Sequence, residues 1–210
     1  MFAWLDAYVR PIAEQLYATF GYLGVVLAVA IESIIVPIPS ELILPLAGFS
    51  VARGVSEPLT GTAWSFWGAV AAGVVGSTIG ALAAYAFGRY AGRAFIVRWG
   101  RYVLVTADDL AATEAWFARY GDAAVFFGRM VPMVRSLISV PAGLTRMNLV
   151  RFTLFSAAGA LPWTILLVWG GMQVGEHWPM LLAIMKRVEY AVIALIVLAA
   201  GLFAWRRLRR

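Results

Sequence analysis

Apolar and polar positions alternate along this chain in blocks that repeat. Residues 1–20 place Phe2, Leu5, Val9, Ile12, Leu16 and Phe20 at spacings of three and four. That stripe predicts an amphipathic helix suited to lying in a membrane interface, with a bend at Pro11. Residues 21–52 are apolar enough to span a bilayer, but Glu32, Pro37, Pro39, Glu41 and Pro45 interrupt them. Each proline removes an i→i−4 hydrogen bond. The segment therefore predicts a re-entrant hairpin of two short helices. Residues 64–88 predict a transmembrane helix, bounded by Trp64 and Trp67 at one end and Arg89 at the other. Gly68, Ala72, Gly76, Gly80, Ala84, Gly88 and Gly92 put a small residue at every fourth position along it. Such a ridge lets another backbone approach closely, and helix packing explains it better than a substrate groove does.

Residues 89–121 are polar and basic. Thr106 with Asp109 marks a helix start, and Leu110, Thr113, Phe117 and Tyr120 form a second interfacial stripe over 106–120. A second broken apolar hairpin follows over 122–145, interrupted by Pro132 and Pro141. Residues 149–173 and 188–205 predict two further spans, and 206–210 form a basic tail.

The order of stripe, broken hairpin and Gly/Ala-rich span thus occurs twice. The first hairpin carries PLAG at 45–48 and the second PAG at 141–143. Phe66, Ala71, Ala72 and Gly73 are echoed by Phe152, Ala157, Ala158 and Gly159. One span per repeat inverts the second copy relative to the first, a plan common among secondary transporters. The expected fold is an all-α membrane protein. It is an inverted repeat of two re-entrant helical hairpins, with about three full transmembrane helices and interfacial amphipathic helices.

Composition narrows the class. The 210 residues are 62% hydrophobic and 13% charged, with a mean hydropathy of +0.83. A soluble domain of this length could not hide so much apolar surface. One membrane domain over 1–210 accounts for the length. The absence of Cys excludes disulfides, thiolate catalysis and Cys-based metal sites. The N-terminus carries acidic residues and no basic n-region, unlike a cleavable signal peptide.

The net charge of +6 speaks to topology rather than to nucleic acid. Arg89, Arg93, Arg98, Arg101 and Arg119, then Arg146, Arg151 and the tail, fall on one face if three spans cross and the second hairpin re-enters. Arg53, Lys186 and Arg187 fall on the other. The positive-inside rule makes the richer face, with the C-terminus, cytoplasmic.

Arg129 and Arg135 lie where neither is cheap. An arginine at the centre of a membrane helix costs roughly 2.5–3.5 kcal/mol on insertion scales. They flank Pro132, so the turn can bring both guanidiniums toward one volume. A guanidinium is a planar fork that matches phosphate or carboxylate. Interface snorkelling or pairing with structural carboxylates would also place each arginine. For both together, inside a Pro-broken apolar segment, ligand or proton-pathway chemistry fits better.

Glu32 and Glu41 are the matching acids of the first hairpin. Desolvation favours a neutral carboxyl and a nearby Arg a charged one, so either acid could relay a proton. Either could equally form a static lock between the hairpins, and a lock that opens on protonation is itself a gate. His177, beside Trp178, reads as interfacial. One histidine and no cysteine argue against a transition-metal site. No nucleotide-binding, zinc-protease or serine-hydrolase motif is present, so no cofactor and no enzymatic activity are expected.

These residues resemble the DedA family, which shares the SNARE-associated (VTT) membrane domain. The resemblance runs in order from about residue 20 to 205. It rests on Glu32, PIPSE at 37–41, PLAG, and above all FGRMVPMVRSLISVPAG at 127–143. Met130 stands where the family usually has an aromatic residue, and Glu41 where many members have Asp. The resemblance implies two oppositely oriented re-entrant hairpins in the bacterial inner membrane. It matches Glu32 and Glu41 to the family's essential acids, and Arg129 and Arg135 to its essential arginines. It also implies proton-motive-force-dependent membrane homeostasis, with undecaprenyl phosphate or phosphatidylethanolamine translocated by some members.

The expectation is a flippase-like lipid transporter in which Arg129 and Arg135 bind a phosphate head group. Glu32 and Glu41 relay or gate protons, and Pro37, Pro39, Pro132 and Pro141 break the hairpins. Its partners are membrane lipids and protons, and a homo-oligomer stays open. A proton-coupled antiporter of small ions or osmolytes is the alternative. A lipid phosphatase lacks a nucleophile or metal, and a scaffold leaves the intramembrane charges unexplained.

Overall fold

A computed structural model of the chain describes residues 3–35, 40–92, 107–131 and 134–174. The proposed third span at 188–205, the tail at 206–210 and His177 lie outside these residues, as do Pro37, Pro39 and Pro132. The described residues are helical, apart from loops and a single β-bridge between Ser56 and Ala63. The helices are α1 (Ala3–Phe20), α2 (Tyr22–Ile35), α3 (Ser40–Ala52) and α4 (Phe66–Phe87), which continues into a π-helical turn at Gly88–Gly92. After these come α5 (Ala107–Met130), α6 (Val134–Leu137), α7 (Ser139–Leu144) and α8 (Leu149–Val174).

Among the described residues, two stretches are long and apolar enough to cross a membrane, Phe66–Ala91 and Leu149–Gln173. They leave Trp67, Val75 and Ile79 on α4, and Leu154, Leu166 and Trp169 on α8, exposed. Such faces suit lipid rather than water. By contrast α2 has 14 residues and α3 has 13. At 1.5 Å per residue each reaches only about 20 Å, against about 30 Å of hydrocarbon. Two short helices thus lie on either side of the Pro-containing segment 36–39 in sequence.

In the second half, the interfacial stripe and the first arm of the hairpin form one helix, α5, where a boundary near residue 121 was expected. Gly121 by itself costs a helix only about 1 kcal/mol relative to Ala, and no proline adds to it. Pro141 also differs from its expected role. It sits in the first turn of α7, where a missing N–H costs nothing. As expected, α1 runs through Pro11 as one helix.

The glycines show how the helices meet. A Cβ on Gly76 would lie 2.6 Å from the Val26 carbonyl oxygen, and one on Gly80 2.2 Å from Ser33 Cβ. The ridge of α4 is therefore occupied by α2. In the second half, Gly159 of α8 is covered by the Phe126 carbonyl of α5 in the same way, at 2.5 Å. The second arms cross over. Gly48 of α3 abuts the Val168 carbonyl of α8, and Gly143 of α7 abuts the Tyr85 carbonyl of α4, at 2.0 and 2.1 Å from their ideal Cβ positions. Each short second arm thus packs on the long helix of the other half.

The long helices run antiparallel. Phe152, near the start of α8, stacks on Tyr85, near the end of α4, with ring centroids 4.7 Å apart. Further along, Thr164 of α8 reaches Gly73 of α4. A core of Ala81, Tyr85, Phe117, Val125, Ala142 and Phe152 fills the C-terminal end of α4. At the other end, Trp64 lies beneath Tyr17 and Tyr22.

Candidate functional site

Ser77 sits near the middle of α4. At 1.5 Å per residue it is about 18 Å from Ser65, the helix cap, and about 12 Å from Tyr85. The charged residues gather at that level.

Arg129, in the last turn of α5, is 2% exposed. Its Nε donates to Ser156 Oγ at 3.3 Å, and one terminal nitrogen donates to Ser77 Oγ at 3.5 Å and to the Arg135 carbonyl at 3.2 Å. The other terminal nitrogen donates to the Ser77 carbonyl at 3.1 Å. A guanidinium has five N–H donors, and these acceptors take four, all of them neutral oxygens. Gly159 makes room for the arrangement, because a Cβ there would lie 2.8 Å from Arg129 Cβ. The positive charge is thus held by dipoles alone along this set of bonds.

Arg135, on α6, is placed differently. One terminal nitrogen donates to Glu32 Oε1 at 2.8 Å, an ion pair between side chains 15% and 5% exposed. Glu32 lies near the end of α2, so the pair ties α2 to α6. The backbone carbonyl of Arg135 also serves Arg129, which couples the two arginines physically.

Glu32, Arg129 and Arg135 line one cavity with Ser77, Trp163 and Thr164. Its volume open to water centres is about 10 Å³, room for about one water molecule. This conformation is closed to a head group. The Trp163 indole Nε1 is buried without a hydrogen-bond partner among the described residues. Trp163 shares the lining of this cavity with Arg129 and Arg135.

Of the residues expected here, Glu32, Arg129 and Arg135 come together. Glu41 lies in the first turn of α3, and its side chain is outside the described residues. Ser77, Ser156 and Trp163 were missed. Each serine is a hydroxyl inside an apolar helix, a position that does not by itself show whether it bonds its own backbone or a neighbouring helix.

A model of the VTT domain matches residues 38–173. The chain belongs to the DedA family of VTT-domain membrane proteins. Among DedA relatives, one from Bacillus subtilis named undecaprenyl phosphate transporter A is 38% identical over 158 residues, covering 75% of this chain and 74% of its own. A protein of the same name from Staphylococcus aureus is 30% identical over 201 residues, or 94% and 95% of the two chains. A Lactococcus lactis relative named alkaline phosphatase-like protein is 35% identical over 192 residues, covering 89% of this chain and 86% of its own. No solved structure matches this chain.

Proposed function

We propose that this DedA protein carries a phosphate-headed lipid, with undecaprenyl phosphate the leading candidate, across the bacterial inner membrane. The observation that carries the reading is the pair of buried Arg129 and partly buried Arg135 at the level of the middle of α4, one held by neutral oxygens and the other by Glu32. Two membrane-facing relatives of similar length bear the name undecaprenyl phosphate transporter A. Arg129 and Arg135 bind the phosphate through their forks, and the Trp163 N–H adds a donor. The prenyl or acyl chain stays in lipid beside the hairpins.

In this reading the two broken segments are re-entrant hairpins, inverted relative to each other, with 188–205 as a third span. The crossed packing of α3 on α8 and of α7 on α4, with α4 and α8 antiparallel, supports that plan. Arg89, Arg119, Arg146 and Arg151 gather toward the C-terminal end of α4, and Arg53 toward its N-terminal end. The Arg-rich end and the C-terminus then face the cytoplasm.

The Glu32–Arg135 pair is the gate. A phosphate must displace the carboxylate from Arg135, and protonation of Glu32 removes the charge that opposes it. Proton-motive force would drive that step, with Glu41 as its second acid. The protein performs no covalent chemistry on the lipid.

Purified protein in liposomes, assayed for flip of labelled undecaprenyl phosphate and of phosphatidylethanolamine, tests this reading. Flip is expected for the wild type and lost in the Arg129→Ala, Arg135→Ala double variant. Full flip by that variant would refute the site. Proton flux driven by a soluble ion, with no lipid movement, would favour the antiporter.

A further inference from the structure

The short segment between α7 and α8 holds an arginine in a conformation that favours glycine. Arg146 has φ +53°. Its N–H donates to the Gly143 carbonyl, and the Met147 N–H reaches back to the Ala142 carbonyl at 3.1 Å. Those two bonds are the Schellman closure of a helix, in which the left-handed residue is usually glycine. A side chain there costs on the order of 1–2 kcal/mol. The next residues are equally fixed, because Asn148 Oδ1 accepts from the Val150 and Arg151 N–H groups and starts α8.

This loop borders a cavity of about 420 Å³, whose lining includes Arg119, Arg146 and Arg151. The volume falls in the range of small-ligand sites. Asp122 answers one of the three charges by pairing with Arg151. Arg119 lies over the Tyr120 ring, 5.2 Å from its centroid. Topology alone would account for arginines at this end of α4, but it requires neither a strained backbone nor a cavity. The hydroxyl of Tyr85 donates to the Met147 carbonyl, so the cavity sits at the end of α4, about 12 Å along the helix from Ser77.

We propose that the Arg119–Arg146–Arg151 cavity is a second anion site, one that takes a phosphomonoester at the Arg-rich face before or after it passes the buried arginines. The inference rests on the transport reading for its place in a sequence of steps, but the site itself can be measured separately. Arg146 supplies an exposed guanidinium from a loop whose backbone is fixed, and Arg119 supplies one that no carboxylate contacts in the described geometry of the cavity.

The test uses the full chain in phosphatidylcholine nanodiscs, with a photo-crosslinking residue replacing Ala118 or Ala123, both exposed at the cavity. Undecaprenyl phosphate should label the protein saturably, and undecaprenol, which lacks the phosphate, should not. Arg146→Gly should weaken apparent affinity about tenfold, the loss expected for one charged contact, while thermal stability holds or rises. Arg119→Gln should weaken affinity without that gain. Displacement of the label by inorganic phosphate assigns the site to the anion alone. Resistance to displacement assigns it to the chain-bearing head group, and either result supports the site.

Equal labelling by undecaprenol or by phosphatidylglycerol, or unchanged affinity in Arg146→Gly, overturns it. Flip assays on the same preparations separate the two ideas. Labelling without flip refutes transport and leaves the site, whereas flip without labelling refutes the site and leaves transport.

Discussion

Arg135 and Glu32 stand 103 positions apart in the chain, yet their side chains meet at 2.8 Å in the low-exposure centre of the molecule. The contact joins the end of α2 to the short helix α6, so separating these two helices means breaking it. A fully buried pair that loses one partner costs about 3–5 kcal/mol. Arg135 keeps some exposure, so Glu32→Gln should cost less, about 2 kcal/mol, because the amide retains a hydrogen bond. The same variant imitates the protonated acid. Flip by Glu32→Gln should therefore lose its dependence on pH, read in liposomes buffered across the neutral and mildly acidic range. A pH profile identical to wild type would remove Glu32 from the gate.

Trp163 offers a test that separates binding from folding. Its indole N–H is buried in the central cavity without a partner among the described residues. Leaving a buried donor unpaired costs on the order of 1–3 kcal/mol, so Trp163→Phe should hold or raise the melting temperature. If the donor serves a phosphate oxygen, the same change should slow flip about tenfold, the effect of some 1.4 kcal/mol on a barrier. Unaltered flip would show that the indole serves packing only.

How much of this was legible in the sequence depends on the kind of interaction. Prolines and charges inside apolar runs are expensive in lipid, and they pointed to the two short helices α2 and α3 and to three of the cavity's residues. The glycine ridge of α4 was read as packing, and Gly76 and Gly80 do meet α2. The α5 boundary was misjudged because a stripe that switches from interfacial to buried need not break the helix. Ser77 and Ser156 were missed for a different reason. A hydroxyl in an apolar helix usually bonds its own backbone, as Thr78 does to the Val74 carbonyl. Only the fold shows which hydroxyls turn to Arg129 instead.

Adjacent glycines in α8 should respond oppositely to the same change. Nothing lies within 4 Å of a Cβ placed on Gly170, whereas one on Gly171 would be 2.1 Å from the Pro45 carbonyl. Gly170→Ala should therefore be neutral or stabilising by up to about 1 kcal/mol, the helix preference of Ala over Gly. Gly171→Ala must push α3 from α8 and should lower the melting temperature by several degrees. Equal effects of the two, measured by thermal unfolding in one detergent, would contradict the crossed packing of the hairpin arm on the opposite long helix.

Glu57 links acid sensitivity to the far end of α4. Its side chain is 1% exposed and its Oε2 accepts from the Leu59 and Thr60 N–H groups at 3.1 and 2.6 Å. Its Oε1 lies over Gly21, in the left-handed turn between α1 and α2 where a Cβ would meet it at 1.6 Å. Burial pushes the carboxyl toward neutrality, but hydrogen bonds from Thr60, Tyr22 and Leu59 outweigh it and hold its pKa below the ordinary value. A lowered folded pKa stabilises the fold fully above the unfolded value of about 4.3 and loses that contribution as pH falls through the folded one. The loop at 53–65 should therefore loosen only below about pH 4, the acid side of that ordinary value. Trp64, stacked on Tyr22 at 4.8 Å, should become more accessible to a fluorescence quencher over that range, read against Trp64→Phe to isolate its signal. Glu57→Gln should abolish the transition and leave the tryptophan equally accessible at every pH. A transition that persists in Glu57→Gln would assign it to another carboxylate.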